Sequence, residues 1–289
     1  MTSMRATILF TVLALAGCNE PPTVVDSGLA EGGARAAEGG GGGAEGAAAP
    51  SEPLPDAAGL LEKSVEASGG RDKIAAIQSF HFAGKVSAPK LNITGSVETW
   101  WKGGDFYMVQ TIEGIGTNRS GKQGDVIWTE EPINGLRKLD GQEAEQHSWA
   151  SSLLLAADWK KYFSEAETVQ AKDHDGKPAY DVKLTSKSGA ELTLTIDKES
   201  SLVVAQDFEV VNPMGRTPVK MALEEYREVD GVKIPFKQSS DLGVLQLSQE
   251  ITDVKFNVEV DASRFAMPVG DTEVVEGRAK EEREEDAEK

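Results

Sequence analysis

The sequence predicts an α+β domain built on an incomplete antiparallel β-barrel, a curved sheet of about eleven strands with a few helices covering its mouth. Three observations carry that expectation. Apolar and polar residues alternate with period two in segments that recur from Phe80 to Asn257. Turn-forming pairs, Asp175-Gly176, Ser188-Gly189 and Asp230-Gly231, lie between alternating runs. Helical spacing is confined to a short stretch before the first strand and one interval in mid-chain.

In chain order, Asp56 can cap a helix running through Ala67, in which Leu60, Leu61 and Val65 share a face opposite Glu62, Lys63 and Glu66. Ser68-Gly69-Gly70 stops it, and a short second helix, Arg71–Ile77, presents Ile74 and Ile77. Phe80, Phe82 and Val86 then alternate with polar neighbours, as do Leu91, Ile93, Val97 and Trp101, which marks two half-buried strands. Further strands are expected at Asp105–Gly114, Gly116–Lys122 and Val126–Glu130. A helical interval follows from Gln142 to Phe163, with Trp149, Leu153 and Ala156 on one stripe and Asp158 capping a last turn that bears Tyr162 and Phe163. Hairpin-linked strands then run at Thr168–Asp173, Ala179–Ser186, Glu191–Ile196, Leu202–Val211, Pro218–Arg227, Val232–Asp241 and Val244–Asn257.

Outside this domain, expected over residues 56–270, the composition changes. Met1–Arg5 is a short basic segment and Ala6–Leu15 an apolar run too short to span a bilayer, so residues 1–17 read as a signal peptide. Leu15-Ala16-Gly17-Cys18 resembles the lipobox of bacterial lipoproteins, which implies cleavage before Cys18 and a thioether-linked diacylglyceryl group on its sulfur. Two or three acyl chains give stable anchoring where one gives marginal binding. Asn19 after the cysteine, by resemblance to enterobacterial lipoproteins, favours the outer membrane with the domain facing the periplasm. After the lipidated Cys18, residues up to 55 are mostly Gly, Ala, Glu, Pro and Ser with a glycine run at Gly39–Gly43, so 18–55 reads as a disordered tether whose ends lie roughly 30–40 Å apart. Residues 271–289 form a charge-dense acidic tail. The formal charge of −18 argues against nucleic acid and against adsorption on anionic lipid. With a single cysteine, structural disulfides and CxxC metal sites are excluded.

Within the domain, the run from Asp173 to Thr185 (DHDGKPAYDVKLT), then Ile196-Asp197-Lys198 and Leu202-Val203-Val204, resembles the central hairpins of the LolA/LolB-like outer-membrane lipoprotein-sorting superfamily. Ala67–Ile77 (ASGGRDKIAAI) and Tyr226–Pro235 (YREVDGVKIP) agree with it, and the order of these pieces is more specific than any one of them. The resemblance implies a half-barrel enclosing an apolar cavity that receives acyl chains, and hence a lipid or lipoprotein carrier. Inward positions that would line it are Phe82, Val97, Trp101, Phe106 and Met108 in the first half of the sheet. Leu192, Leu194, Phe208, Met221 and Leu223 would line it in the second. The same residues would equally make a filled core. The superfamily's soluble carrier has no anchor, so the anchored receptor is the nearer parallel. Gly114-Ile115-Gly116 is the nearest candidate for that receptor's protruding apolar loop and also reads as a simple turn.

Catalysis is not predicted. His81, His147 and His174 are scattered, no HExxH or Gly-x-Ser-x-Gly occurs, and Asp173-His174-Asp175-Gly176 lacks the later acidic ligand of a calcium loop. No cofactor or metal is expected. The functional expectation is therefore binding of acyl chains or lipoproteins by a membrane-anchored envelope protein. The other class is a non-catalytic adaptor or structural lipoprotein that binds an envelope protein. Trp100-Trp101 bears on the choice, because adjacent strand residues point to opposite faces and one indole could stand exposed to a partner.

Overall fold

The computed structural model describes residues 53–213, 215–243 and 245–269. The signal peptide, Cys18, the acidic tail and all of the tether before residue 53 lie outside the described residues.

The chain enters through helix α1 (Ala57–Ala67), whose first turn is closed by the Asp56 carboxylate accepting from the Gly59 N–H at 2.7 Å. Leu60, Leu61 and Val65 are buried, as the spacing requires. Gly69 and Gly70 then take φ of +119° and +85°, which ends the helix and starts α2 (Arg71–Ala76). Six strands follow as a meander: β1 (Ser79–Ala88), β2 (Ile93–Lys102), β3 (Asp105–Ile112), β4 (Gly116–Gln123), β5 (Val126–Glu131) and β6 (Gly135–Lys138). Helices α3 (Gly141–Ala150) and α4 (Leu155–Tyr162) separate this from a second meander. That meander comprises β7 (Phe163–His174), β8 (Lys177–Ser186), β9 (Glu191–Asp197), β10 (Val203–Asn212), β11 (Gly215–Val229), β12 (Val232–Asp241) and β13 (Gln246–Phe256).

All thirteen strands form one antiparallel sheet in the order β6-β5-β4-β3-β2-β1-β13-β12-β11-β10-β9-β8-β7. Each neighbour pair within a meander is a hairpin. The first and last strands meet at a central seam, with Phe80 opposite Phe256 and Val86 opposite Gln249. A bulge at Ala83/Gly84 breaks the seam's register, and a bulge bends and twists its strand. The two edges, β6 and β7, do not pair, so the sheet is a curved, unclosed barrel, and α3 and α4 carry the chain from one edge to the other. This is the half-barrel with helices that the LolA/LolB-like resemblance implies.

Five details depart from the sequence reading. The strand expected to include Leu91 begins only at Ile93; Pro89, which lacks an N–H, starts a 3-10 turn at Pro89–Leu91, and Asn92 follows at φ +53°. Strand β6, of sequence GLRK, has no readable alternation and was not expected. The helical interval is two helices, because Ser151 turns its hydroxyl onto the Ser148 carbonyl at 2.7 Å. Asp158 does not cap a turn but lies inside α4, accepting from the Ser152 hydroxyl at 3.0 Å. Phe163 belongs to β7, opposite Ser186, with its ring 4.7 Å from that of Trp149.

Register assigns the faces. Phe80, Trp101 and Phe106 face one another across β1, β2 and β3 and point inward. Val182, Leu194 and Gln206 do the same across β8, β9 and β10. With Leu61, Val65, Trp149 and Leu155 from the helices, all of these but Gln206 belong to one buried apolar cluster. The outer face carries a second feature. His81, Trp100, Tyr107 and Trp128 form an aromatic ladder with ring separations of 4.7, 5.8 and 6.1 Å. Gly121 leaves room for it, since a Cβ there would lie 2.6 Å from the Trp128 ring. Residues 258–265 strap across this ladder. Trp128 Nε1 donates to the Phe265 carbonyl at 3.1 Å, Lys102 donates to the Val260 carbonyl at 3.0 Å, and the Arg264 guanidinium stacks 4.3 Å above Trp100.

Candidate ligand-binding face

All ten residues expected to line a cavity are buried and belong to the single apolar cluster. The sheet order sorts them into two wings. Phe82, Val97, Trp101, Phe106 and Met108 lie on β1–β3, and Leu192, Leu194, Phe208, Met221 and Leu223 on β9–β11. Strands β12 and β13 stand between the wings. Helices α1, α3 and α4 cover this concave side, with α1 against α4 and α3 against both β10 and β5.

The strands between the wings are not uniformly apolar. Gln238 of β12 faces Leu223 on one side and Gln249 of β13 on the other. Gln206 of β10 sits between Leu194 and Met221, and Met221 in turn faces Ser240. Gln110 of β3 faces Val97 and Asn118. These four glutamines are buried at the inward registers of their strands. Both amide atoms of Gln110 and Gln238, and the amide oxygens of Gln206 and Gln249, have no hydrogen-bond partner among the described residues. The sequence reading missed them, although each falls on the apolar parity of its strand and could have been found there.

Two grooves open at the rim where the β8–β9, β10–β11 and β12–β13 connections lie. One, of about 390 Å³, runs from Gln146 of α3 past Ala190 and Phe208 at the rim onto the outward row Thr193, Asp207 and Lys220. The other, of about 310 Å³, is bounded by Pro89, Lys90, Ser240, Leu247 and Ser248. Of the ten predicted residues, Phe208 lines the first. Gln146 shapes it by bonding the freed backbone of β10, donating to the Glu209 carbonyl at 2.5 Å and accepting from the Val211 N–H at 2.9 Å.

Charges on the covered side are few and held. Arg137 of β6 makes two bonds to the Glu143 carboxylate of α3, at 2.7 and 2.6 Å, with Glu131 at 3.7 Å. His147, one turn along α3, is buried with its Nδ1 unpartnered; loss of solvation, aided by the nearby Arg137 charge, pushes its pKa down to about 3. The other histidines lie elsewhere, His81 stacked on Trp100 and 3.2 Å from Glu98, and His174 at the β7–β8 turn. No group of three His, Cys, Asp or Glu side chains among the described residues is disposed to hold a metal ion. Trp100 is sandwiched rather than bare, and Ile115 tops a tight turn closed by its N–H bond to the Ile112 carbonyl.

No protein-family model matches the sequence, and no curated protein sequence matches it. Solved structures do. A DUF1329 family protein from Desulfovibrio piger is 13% identical and superposes with a TM-score of 0.50, covering 73% of this chain and 97% of that one. A LolA superfamily protein from Nitrosomonas europaea is 14% identical, with a TM-score of 0.49 over 74% of this chain and 98% of that one. An outer membrane lipoprotein-sorting protein domain from Vibrio parahaemolyticus is 8% identical, with a TM-score of 0.47 over 71% and 97%. At such identities the likeness is one of fold alone.

Proposed function

We propose that this protein is a lipoprotein of the bacterial cell envelope, anchored through lipid on Cys18 to the outer membrane, whose periplasmic half-barrel binds acyl chains or lipoproteins on its concave face in lipoprotein sorting. One observation carries the reading: an unclosed sheet presents two apolar wings to one side covered by helices.

The test is native mass spectrometry of the full chain carrying Cys18→Ala, produced in a bacterial periplasm. Co-purifying acyl species should be present and should be lost in Leu194→Asp, provided that variant keeps its sheet by circular dichroism. A clean mass that also fails to take up added lipid would defeat the acyl-binding reading. Anchoring is tested apart from it, since Cys18→Ala should move the protein from the membrane pellet to the soluble fraction. Retention in the pellet after a high-salt wash would refute lipidation.

The adaptor reading has one observation in its favour. Leu91, Ile115 and Ile133 are exposed on the β1–β2, β3–β4 and β5–β6 connections, which a regular meander brings to one rim. Loss of a co-isolated envelope protein on Ile133→Ser, with acyl uptake absent from the unsubstituted chain, would favour it.

A further inference from the structure

Alternation in a strand covered on one face places apolar side chains inward, and β10, β12 and β13 break that rule at neighbouring positions. Gln238 and Gln249 are directly opposed on adjacent strands. Gln206 lies two strands away, in the adjoining row with Met221 and Ser240. All three are more than nine-tenths buried, and their amide oxygens, with the Gln238 nitrogen, find no partner among the described residues. A buried amide without a partner destabilises the fold, and leucine at these positions would avoid that cost. Three in neighbouring rows of a largely apolar face make a strip with the pattern of a site that reads polar atoms on an otherwise apolar molecule.

Resting on the acyl-binding reading above, we propose that this strip receives the ester groups of a neutral diacylglyceryl ligand. The glycerol unit lies along β12–β13, with one acyl chain toward the β9–β11 wing and the other toward the β1–β3 wing. Opposed residues on adjacent strands stand roughly 4.5–5.5 Å apart, comparable to an ester carbonyl and a hydroxyl or amide N–H near the same glycerol unit. The Gln238 nitrogen donates to a carbonyl, and the Gln206 and Gln249 oxygens accept from a hydroxyl or an amide N–H of the ligand. The strip is uncharged. The inward cations stand on the far strands, Lys122 on β4 bonded to the Gly104 carbonyl and Arg137 on β6 engaged by Glu143 and Glu131, so an anionic head at β12–β13 would be buried without a counter-charge beside it. The ligand is therefore neutral at its glycerol end. Free diacylglycerol and a peptide bearing S-diacylglyceryl cysteine share this chemistry.

The experiment measures binding by the full chain carrying Cys18→Ala, with and without Gln238→Leu and Gln249→Leu. Four probes are used: dioctanoylglycerol, a short S-diacylglyceryl-cysteine peptide, dioctanoyl phosphatidylglycerol, and diphenylhexatriene, a hydrocarbon with no polar atom. The unsubstituted strip should bind at least one neutral diester on the order of tenfold tighter than the leucine variant does, and tighter than the phosphatidylglycerol. Diphenylhexatriene should bind both forms equally, and the leucine variant should melt no lower. Preference between the first two probes identifies the source. Equal binding of diesters by both forms overturns the proposal, as does phosphatidylglycerol binding that matches the diesters. Uptake of diphenylhexatriene without either diester leaves the acyl-binding reading standing and removes this one, whereas failure of every probe removes both. If the double variant does not fold, Gln249→Met alone is read by the same criteria.

Discussion

At the scale of single residues, His147 is the group whose environment departs furthest from water. It lies within α3, buried, with its ring held neutral down to about pH 3. The sign of its effect follows from which state takes the proton. Between the ordinary histidine pKa of 6.5 and about 3, the unfolded chain is protonated at this site and the folded chain is not. Its contribution is fully present above pH 6.5 and is lost progressively as pH falls, by at most about 1.4 kcal/mol per pH unit. Urea unfolding should therefore show up to about 2 kcal/mol less stability at pH 5 than at pH 6.5, and His147→Leu should flatten that slope. An unchanged slope in the variant would place the acid sensitivity elsewhere. Carboxylates such as Asp197, held low by hydrogen bonds from the Ser200 hydroxyl and N–H, act at more acidic pH. The inward glutamines mark what residue types hide. Hydropathy scores Gln110 or Gln238 as surface, and only their parity within an alternating strand gives them away.

Among the elements, α1 was legible to the residue, because a capping aspartate, a two-turn apolar face and a Ser-Gly-Gly stop all act locally. What the stop touches was not legible. Gly69 packs against the β11–β12 hairpin, where a Cβ would lie 2.3 Å from the Gly231 carbonyl oxygen, and the Ser68 carbonyl accepts from the Lys233 N–H at 2.9 Å. Gly69→Ala should thus lower stability by about 1–3 kcal/mol through both the contact and its positive φ, measured by urea denaturation. A neutral result would mean that the hairpin yields freely. Strand β6 and the start of β7 escaped notice because they are edge segments, held by a neighbour rather than by a pattern of their own. Arg137 reaches from β6 to Glu143 of α3, and Phe163 leans on Trp149. The outer ladder was half visible. Trp100-Trp101 announced one indole per face, but the strap that covers Trp100 and Trp128 comes from residues 258–265, far away in sequence.

For the whole molecule, the fold class was readable because a sheet with one covered face writes period-two alternation into nearly every strand. The hairpin turns supplied most neighbour pairs. The β1–β13 seam could not be read, since no turn joins those strands and their pairing depends on closure of the whole domain. That seam has a dynamic consequence. Each meander is held by its own local hairpins, whereas the line between them has no covalent turn and carries a bulge. Local contacts form early and reopen rarely, while a contact that closes a long loop forms late. Amide hydrogen exchange should therefore show two well-protected halves, with the β1–β13 amides exchanging sooner than those of β8–β9. The molecule would then behave as two shells meeting along a single suture beside the glutamine strip, able to part there without either shell unravelling.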